Sequence, residues 1–289
     1  MWPLRGFWQC GQSSYVFYPT LVLSSPVFLT FLALQDGHID LPLVYRFTAA
    51  NNISAINLRE PAFGHLDIPR LREGRVGGFW WSAWVPCPPD DGMGNGGDQK
   101  GNGTLGDFIE PQWRVRDTLE QIDVAHLAIE QYPDTFEFVT TAEAAKLAMR
   151  EGKVASFIGV EGCANYFFIK CCPVRLQYAY SSSRHSAHQL GNSLAVLRQY
   201  VRLGVRYVTL THTCHNAFAD SAGLFTPLPP RHFGLSELGE ELIRETNRLG
   251  IVVDLSHTSD LTAVQALAVS QAPVIWSHSN AREVWDLPR

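Results

Sequence analysis

The chain has little excess charge and no strongly basic stretch, and this argues against a nucleic-acid-binding role. Its 289 residues carry 23 Lys and Arg against 28 Asp and Glu, which gives a net charge of −5 and an isoelectric point near 6.0. Domains that bind nucleic acid instead concentrate positive charge on one face or helix. No long run of like charge marks an acidic or basic tail. We therefore expect no nucleic-acid partner.

Cysteine is also scarce. The six cysteines follow no CxxC spacing, so a structural zinc knuckle of the usual kind is excluded. Six cysteines in a chain of this length are too few for a scaffold built on disulfides. Their number leaves the redox compartment open. The composition, 46% hydrophobic with a mean hydropathy of −0.05, is typical of a soluble globular protein, either cytoplasmic or secreted.

Long uncharged runs are rare, and the main one lies near the start of the chain. Residues 15–34 contain no charge and reach the length of a membrane span. Their prolines and serines weaken a helix, and they run directly into Asp36-Gly37-His38 without a polar linker. We assign residues 1–35 to an apolar leader. A partly buried strand or a non-native leader is favoured there over an N-terminal membrane anchor.

From residue 114 onward, helix patterns alternate with short apolar strand patterns, and glycine often separates the two. Strands are predicted at 154–160, 205–210, 251–255 and 272–276, and helices at 115–132, 140–151, 192–203, 235–249 and 261–270. Strands that are apolar on both faces and follow helices indicate a parallel sheet covered by helices. No GxGxxG follows a strand, so the pattern favours a TIM-like (β/α)8 barrel over a doubly wound dinucleotide-binding sheet.

Two stretches interrupt this alternation inside the barrel domain predicted for residues 36–289. Residues 87–107 are rich in Gly, Asp and Asn, which is typical of a long surface loop. Residues 163–187 show neither helical nor alternating periodicity. We expect 163–187 to be an insertion foreign to the barrel, such as an unspliced stretch read as protein. A lid over the barrel mouth is the alternative.

Side chains able to bind a metal follow each of the predicted strands and also follow the apolar segment before Asp36, which would be the first strand. They are His38, Asp40, Glu161, His212, His257 and His278. Because all strands of a barrel end on the same face, we expect these side chains to converge there. One histidine at a strand end is more often a satisfied polar residue than a ligand, but repetition in phase with the strands favours a metal site. Imidazole and carboxylate are usual zinc ligands in hydrolases, and two ions that share a carboxylate can hold a bridging hydroxide.

The motifs around these residues resemble those of the membrane (renal-type) dipeptidase family. In chain order they are residues 36–42 (DGHIDLP), 75–82 (RVGGFWWS), 116–121 (RDTLEQ), 159–162 (GVEG), 210–214 (LTHTC), 254–257 (DLSH) and 277–279 (SHS). The resemblance covers about residues 36–289. It implies a zinc-dependent hydrolase that cleaves dipeptides on an amidohydrolase-like TIM barrel.

The resemblance also implies a ligand set for two Zn²⁺ ions. His38, Asp40 and Glu161 would hold one ion. Glu161, His257 and His278 would hold the other, so Glu161 would bridge the pair. The implied substrate is a dipeptide with free ends, while a homodimer and membrane association both stay open.

Further roles follow from the same resemblance. His212 is implied as the catalytic residue that contacts the substrate and polarises the scissile carbonyl. Cys214, two residues later, occupies the position of a bridged cysteine in secreted family members. We therefore expect a disulfide between Cys87 and Cys214, with a pair of reduced core thiols as the alternative.

The sequence departs from the family pattern in three places. Residues 163–187 separate the GVEG motif from residues 188–193 (HQLGNS), which follow it almost directly in family members. Residues 215–220 (HNAFAD) replace the family's Asn-Thr-Pro-Trp-Ala-Asp. The chain stops at Arg289, before two further barrel strands that carry a substrate-binding Arg and a proposed proton-shuttle Asp. We therefore expect a barrel truncated before its last two strands that hydrolyses dipeptides poorly or not at all.

Two rival functions remain at this point. One is a pseudoenzyme or fragment that holds metal without turnover. The other is a different amidohydrolase, such as a lactonase or phosphotriesterase. The second rival is disfavoured because no candidate for a carboxylated lysine lies at a strand end, and Lys153 and Lys170 are wrongly placed.

Overall fold

The computed structural model describes residues 34–62, 64–85, 87, 113–162, 189–223 and 226–286. Within them, seven parallel strands form one sheet. The strands are β1 (Leu34–Ile39), β2 (Val76–Val85), β3 (Phe136–Phe138), β4 (Val154–Gly162), β5 (Val205–Thr209), β6 (Val252–Asp254) and β7 (Val274–Ile275). Neighbouring strands follow the order β1-β2-β4-β5-β6-β7, and the short β3 pairs with β4.

The sheet curves until its first strand approaches the segment after its last. Gly37 in β1 lies so close to the backbone of Ser277 that a Cβ on Gly37 would overlap the Ser277 carbonyl. The rings of His38 and His278 are neighbours, with centroids 4.1 Å apart. Six parallel strands along one curved path, flanked by helices, confirm the prediction of a truncated TIM-like barrel.

Helices connect successive strands of the sheet. Those described are α1 (Leu41–Ala49), α2 (Ile68–Glu73), α3 (Trp113–Gln131), α4 (Ala142–Arg150), α5 (Leu194–Arg202), α6 (Glu237–Leu249), α7 (Asp260–Val269) and a 3₁₀ turn (Ile53–Ala55). Five of them begin at an Asp, Ser or Thr whose side chain accepts a backbone N–H of the first turn. These caps place the starts of α4 to α7 close to the positions predicted from the sequence.

The central strands are buried on both faces, as their continuous apolar sequences predicted. Ile158 and Val160 in β4, Val208 in β5 and Val253 in β6 share one face and belong to one buried core cluster. On the other face, Ala155 in β4 and Tyr207 in β5 are also buried. The core therefore lies within the curved sheet and between the sheet and its helices, and it holds the carboxyl ends of the strands in fixed positions.

Three predicted features fall wholly or largely outside the described residues: the leader up to residue 33, most of the loop at 87–107 and the insertion at 163–187. Leu34 and Gln35, which the sequence analysis placed in the leader, form the beginning of β1. None of the described helices is both long and apolar enough to cross a membrane.

Candidate metal centre

The six side chains singled out from the sequence lie at one end of the sheet. His38 is in β1, Asp40 precedes α1 and Glu161 is in β4. The remaining three, His212, His257 and His278, lie just after β5, β6 and β7. Because the strands are parallel, their carboxyl ends share one edge, and the structure brings these residues together there.

Glu161 occupies the middle of the cluster and is only 2% exposed. Its Oε2 lies 2.9 Å from Nε2 of His38. Its Oε1 faces three other imidazoles, with Nε2 of His278 at 2.9 Å, of His257 at 3.2 Å and of His212 at 3.4 Å. Four histidines at the carboxyl ends of four different strands thus surround one buried carboxylate.

Asp40 stands at the rim of this cluster. Its Oδ1 lies 3.3 Å from Nε2 of His38, and its side chain is 45% exposed. Two groups of potential ligands have donor atoms within 4.8 Å of one another: one is His38, Glu161 and His278, and the other is Glu161, His212 and His257. This grouping differs from the sets implied by the family resemblance, which place His278 beside His257 and use Asp40.

The buried charges at the centre depend on one another. Burial acts to raise the pKa of Glu161, but the His38, His278, His212 and His257 rings together hold that pKa well below its ordinary value of 4.5. Burial acts to lower the pKa of His38, and the charge of Glu161 outweighs it, so the pKa of His38 lies well above 6.5. The centre therefore keeps a carboxylate ionised inside a ring of imidazoles.

The donor set fits a metal ion. Glu161 Oε1 is buried and accepts no hydrogen bond of good geometry within the described part of the chain. Nε2 of His257 and Nε2 of His278 face each other at 2.7 Å. Two imidazole nitrogens can share that space only if one keeps a proton, whereas a cation would accept a lone pair from each. Imidazole nitrogen and carboxylate oxygen are the donors that zinc takes in hydrolytic sites.

Tyr207 supports His38 from the opposite side, and the sequence analysis did not single it out. Its hydroxyl lies 2.9 Å from His38 Nδ1, and its fully buried ring packs against Trp80. Gly159 leaves room for that ring, because a Cβ at this position would overlap it. Burial raises the pKa of the Tyr207 hydroxyl, which keeps it protonated. The one sequence signal for this contact is a glycine inside an apolar strand, which marks a close approach.

The backbone of His257 adopts a left-handed conformation with a φ of 66°. Residues other than glycine rarely do so, and they persist there only where neighbouring contacts hold them. The His257 carbonyl accepts the backbone N–H of Ala222 at 2.9 Å and the hydroxyl of Thr211 at 3.1 Å. The loop after β5 thus fixes the turn after β6 and aims the His257 ring at Glu161.

His215 and Asp220 could also bind metal by their chemistry, but their contacts are within the loop after β5. His215 Nδ1 accepts the backbone N–H of Ser221 at 3.0 Å. Burial lowers the pKa of His215, which favours the neutral ring. The Asp220 carboxylate accepts three backbone N–H groups between residues 231 and 234. The side chains of His215 and Asp220 therefore tie this loop together.

A disulfide joins Cys87 to Cys214, with Cα atoms 6.3 Å apart, and this confirms the expected pair. Cys87 follows β2, and Cys214 lies two residues after His212. The bond therefore links the loop that carries His212, after β5, to the segment after β2 on the other side of β4.

Comparison with known proteins gives the family. The model of the membrane dipeptidase family (peptidase family M19) matches residues 27–166 and 175–289. Dipeptidase verJ from Clonostachys rogersoniana is 38% identical over 258 residues, which cover 89% of this chain and 56% of that protein. The chain thus spans little more than half the length of this relative.

Two solved structures share the fold. One is a metallo peptidase from Rhodobacter sphaeroides liganded with a phosphinate mimic of the dipeptide L-Ala-D-Ala; it is 22% identical with a TM-score of 0.66 over 89% of this chain and 68% of its own. The other is the probable dipeptidase PvdM from Pseudomonas aeruginosa, 20% identical with a TM-score of 0.65 over 92% of this chain and 58% of its own. With the family model matching most of its length and the motif residues gathered at one face, the chain belongs to the membrane dipeptidase family, peptidase family M19.

Proposed function

We propose that the protein is a zinc-dependent dipeptidase that hydrolyses the peptide bond of dipeptides with free ends. The observation that carries the proposal is the convergence of four imidazoles on the buried carboxylate of Glu161. Family membership supports the choice of a metallopeptidase reaction over other hydrolase chemistry. The relative from Clonostachys is a dipeptidase by name, and the Rhodobacter enzyme was bound to a dipeptide mimic, which supports the substrate class.

Two ions would divide the cluster along the two oxygens of Glu161. His38 lies beside Oε2 and Asp40 beside His38, so these two residues would complete the first position. His257 and His278 both lie beside Oε1 and would complete the second. Zinc ions held there would supply Lewis-acid polarisation of the scissile carbonyl and a hydrolytic nucleophile at neutral pH.

His212 is our candidate for the residue that contacts the substrate. Its ring stacks on His257 with centroids 3.8 Å apart, and its Nε2 is the most distant of the four from Glu161. An imidazole N–H at this edge of the cluster can donate a hydrogen bond to a carbonyl oxygen as that oxygen gains negative charge. The loop that holds His212 is fastened by the disulfide and by Asp220, so the donor is positioned before substrate arrives.

The test combines metal content with a substrate panel. The purified chain is stripped of metal, reloaded with zinc and assayed on dipeptides, lactones and phosphotriesters. We expect two equivalents of zinc per chain and a slow, chelator-sensitive release of amino acids from dipeptides alone. The Glu161→Gln variant should lose both properties. The His65→Asn variant, which replaces an exposed histidine, should keep both.

Each contrary result has a distinct meaning. Failure of the wild-type chain to bind zinc would overturn the metal site. Two bound equivalents without turnover of any dipeptide would overturn the catalytic assignment. Preferential turnover of a lactone or phosphotriester would overturn the substrate class. Retention of zinc by His212→Ala with loss of turnover supports the substrate-contact role, and loss of zinc would instead make His212 a ligand.

A further inference from the structure

Asp254, at the end of β6, is a fully buried carboxylate surrounded by hydrogen-bond donors. The hydroxyls of Thr209 and Ser277 both donate to its Oδ2 at 2.6 Å. The backbone N–H groups of Ser256 and Ser277 donate to its Oδ1 at 3.1 and 3.0 Å. Each of these groups acts as a donor, so Asp254 serves as an acceptor only, as an ionised carboxylate does.

The position of one hydrogen on His278 follows from these contacts. Ser277 has a single hydroxyl hydrogen, and it points to Asp254. The same Oγ lies 2.6 Å from His278 Nδ1. Because the hydroxyl hydrogen is already engaged, the ring nitrogen must supply the hydrogen for this second contact. His278 therefore carries a hydrogen on Nδ1, so its Nε2, 2.9 Å from Glu161 Oε1, is the nitrogen that would offer its lone pair to a metal ion bound between them.

We propose that Asp254 is a positioning residue that acts through Ser277 to hold His278 in the tautomer and orientation required of a metal ligand. The inference rests on the metal site of the proposed function. A metal-bound histidine commonly donates its other ring N–H to such a partner, which fixes the ring and raises its basicity as a ligand. Here a serine hydroxyl stands between the imidazole and the carboxylate.

The burial of Asp254 supports this role. A buried carboxylate is costly unless positive charge or several hydrogen bonds compensate it. Among the described residues, no lysine, arginine or histidine forms an ion pair with Asp254, and its four donors are neutral. Positive charge at the metal centre, one serine away, would offset the remaining cost.

A purely structural role is the rival explanation, because Asp254 also connects the ends of β5, β6 and β7. A substitution at Ser277 distinguishes the structural role of Asp254 from its positioning role. Ser277→Ala removes the hydroxyl between Asp254 and His278 but leaves the donors from Thr209, Ser256 and the Ser277 backbone in place. The connection between strands therefore survives while His278 loses its partner.

The experiment compares Ser277→Ala with Ser156→Ala in the full chain. Ser156 is also buried and donates its hydroxyl to the Val154 carbonyl at 3.2 Å, away from the histidines. Zinc affinity is measured by competition with a chromophoric chelator, and melting of the metal-free proteins is measured in parallel. We expect Ser277→Ala to weaken one of the two binding steps by about 10- to 100-fold, as for other outer partners of metal ligands. Ser156→Ala should change neither step, and Ser277→Thr should restore the affinity.

Nitrogen-15 NMR of the His278 ring in the zinc-loaded wild type tests the tautomer without any substitution, so the proposal stays testable if a variant does not fold. A proton on Nδ1 and none on Nε2 is the expected result, and a proton on Nε2 would overturn the proposal. Zinc affinity of Ser277→Ala equal to that of wild type would also overturn it. Absence of zinc binding by the wild type itself would instead remove the proposed function on which this inference stands.

Discussion

Replacing Tyr207 with Phe removes one oxygen atom and should weaken zinc binding at the position that includes His38. The Tyr207 hydroxyl is the partner of His38 Nδ1 at 2.9 Å, and the His38 side chain is almost fully buried. Without the hydroxyl, Nδ1 loses this partner in a side chain that is only 7% exposed. The ring then loses the interaction that keeps Nε2 turned towards Glu161.

The size of the effect follows from this burial. Leaving a buried polar group unsatisfied costs about 1–3 kcal/mol. A free-energy change of that size corresponds to a roughly 5- to 150-fold change in affinity. The cost weakens zinc binding to the extent that it falls on the metal-loaded state, where the ion fixes the direction of Nε2 and holds Nδ1 opposite residue 207.

Tyr200→Phe provides the matched control. Tyr200 is also fully buried, and its hydroxyl donates a single hydrogen bond to the Gln189 carbonyl at 2.5 Å, outside the cluster. Zinc titration of the metal-free proteins by calorimetry or chelator competition should show weaker binding for Tyr207→Phe and unchanged binding for Tyr200→Phe. Gly159→Ala, which forces the Tyr207 ring to move, should weaken binding in the same direction. Equal zinc affinity for Tyr207→Phe and wild type, or an equal loss in Tyr200→Phe, would refute the reasoning.

Three further predictions concern stability. Reducing the Cys87–Cys214 disulfide, which spans 127 residues, should lower the free energy of unfolding by roughly 2–5 kcal/mol in denaturant titrations with and without reductant. In the presence of chelator, the free energy of unfolding should fall as pH rises above 6.5 through the raised pKa of His38. It should also fall as pH drops below 4.5 towards the lowered pKa of Glu161, and the dependence of the melting temperature on pH should be weaker in Glu161→Gln. Asp220→Ala should cost about 2–4 kcal/mol in urea unfolding, because several backbone N–H groups of its loop lose their acceptor. An unchanged midpoint in any of these measurements would contradict the corresponding contact.

The strands that carry the centre could be predicted because they are apolar on both faces and glycine ends the helix before several of them. Strand β3 was missed because its three residues, Phe136–Phe138, are too few to show a period. Helix α1 was not predicted, because Asp40-Leu41-Pro42 was interpreted only as part of a metal-binding motif. Pro42 in fact suits the first turn of a helix. The cap of α4 is Thr141, one residue later than the capping box predicted from Thr140.

For the site, the sequence could indicate which side chains reach the common edge but not how they are supported. His257 and Glu161 were identifiable because each follows or ends a strand pattern. The roles of Tyr207, Asp254 and Ser277 depend on contacts between strands that are distant in the chain. No local pattern encodes such contacts, so these residues became visible only in three dimensions.

The arrangement of the centre also has a consequence for folding. Glu161 collects its partners from β1 and from the segments after β5, β6 and β7, and the His38–Tyr207 contact alone joins residues 169 positions apart. Contacts of such high sequence separation form late and slowly, because the chain loses the entropy of closing a long loop before the contact contributes any stabilisation. No preformed site exists in a partly folded chain, so zinc would bind selectively to chains whose sheet is complete. Its binding free energy would then stabilise the whole domain against unfolding by mass action, and a chelator would act on the protein as a denaturant does.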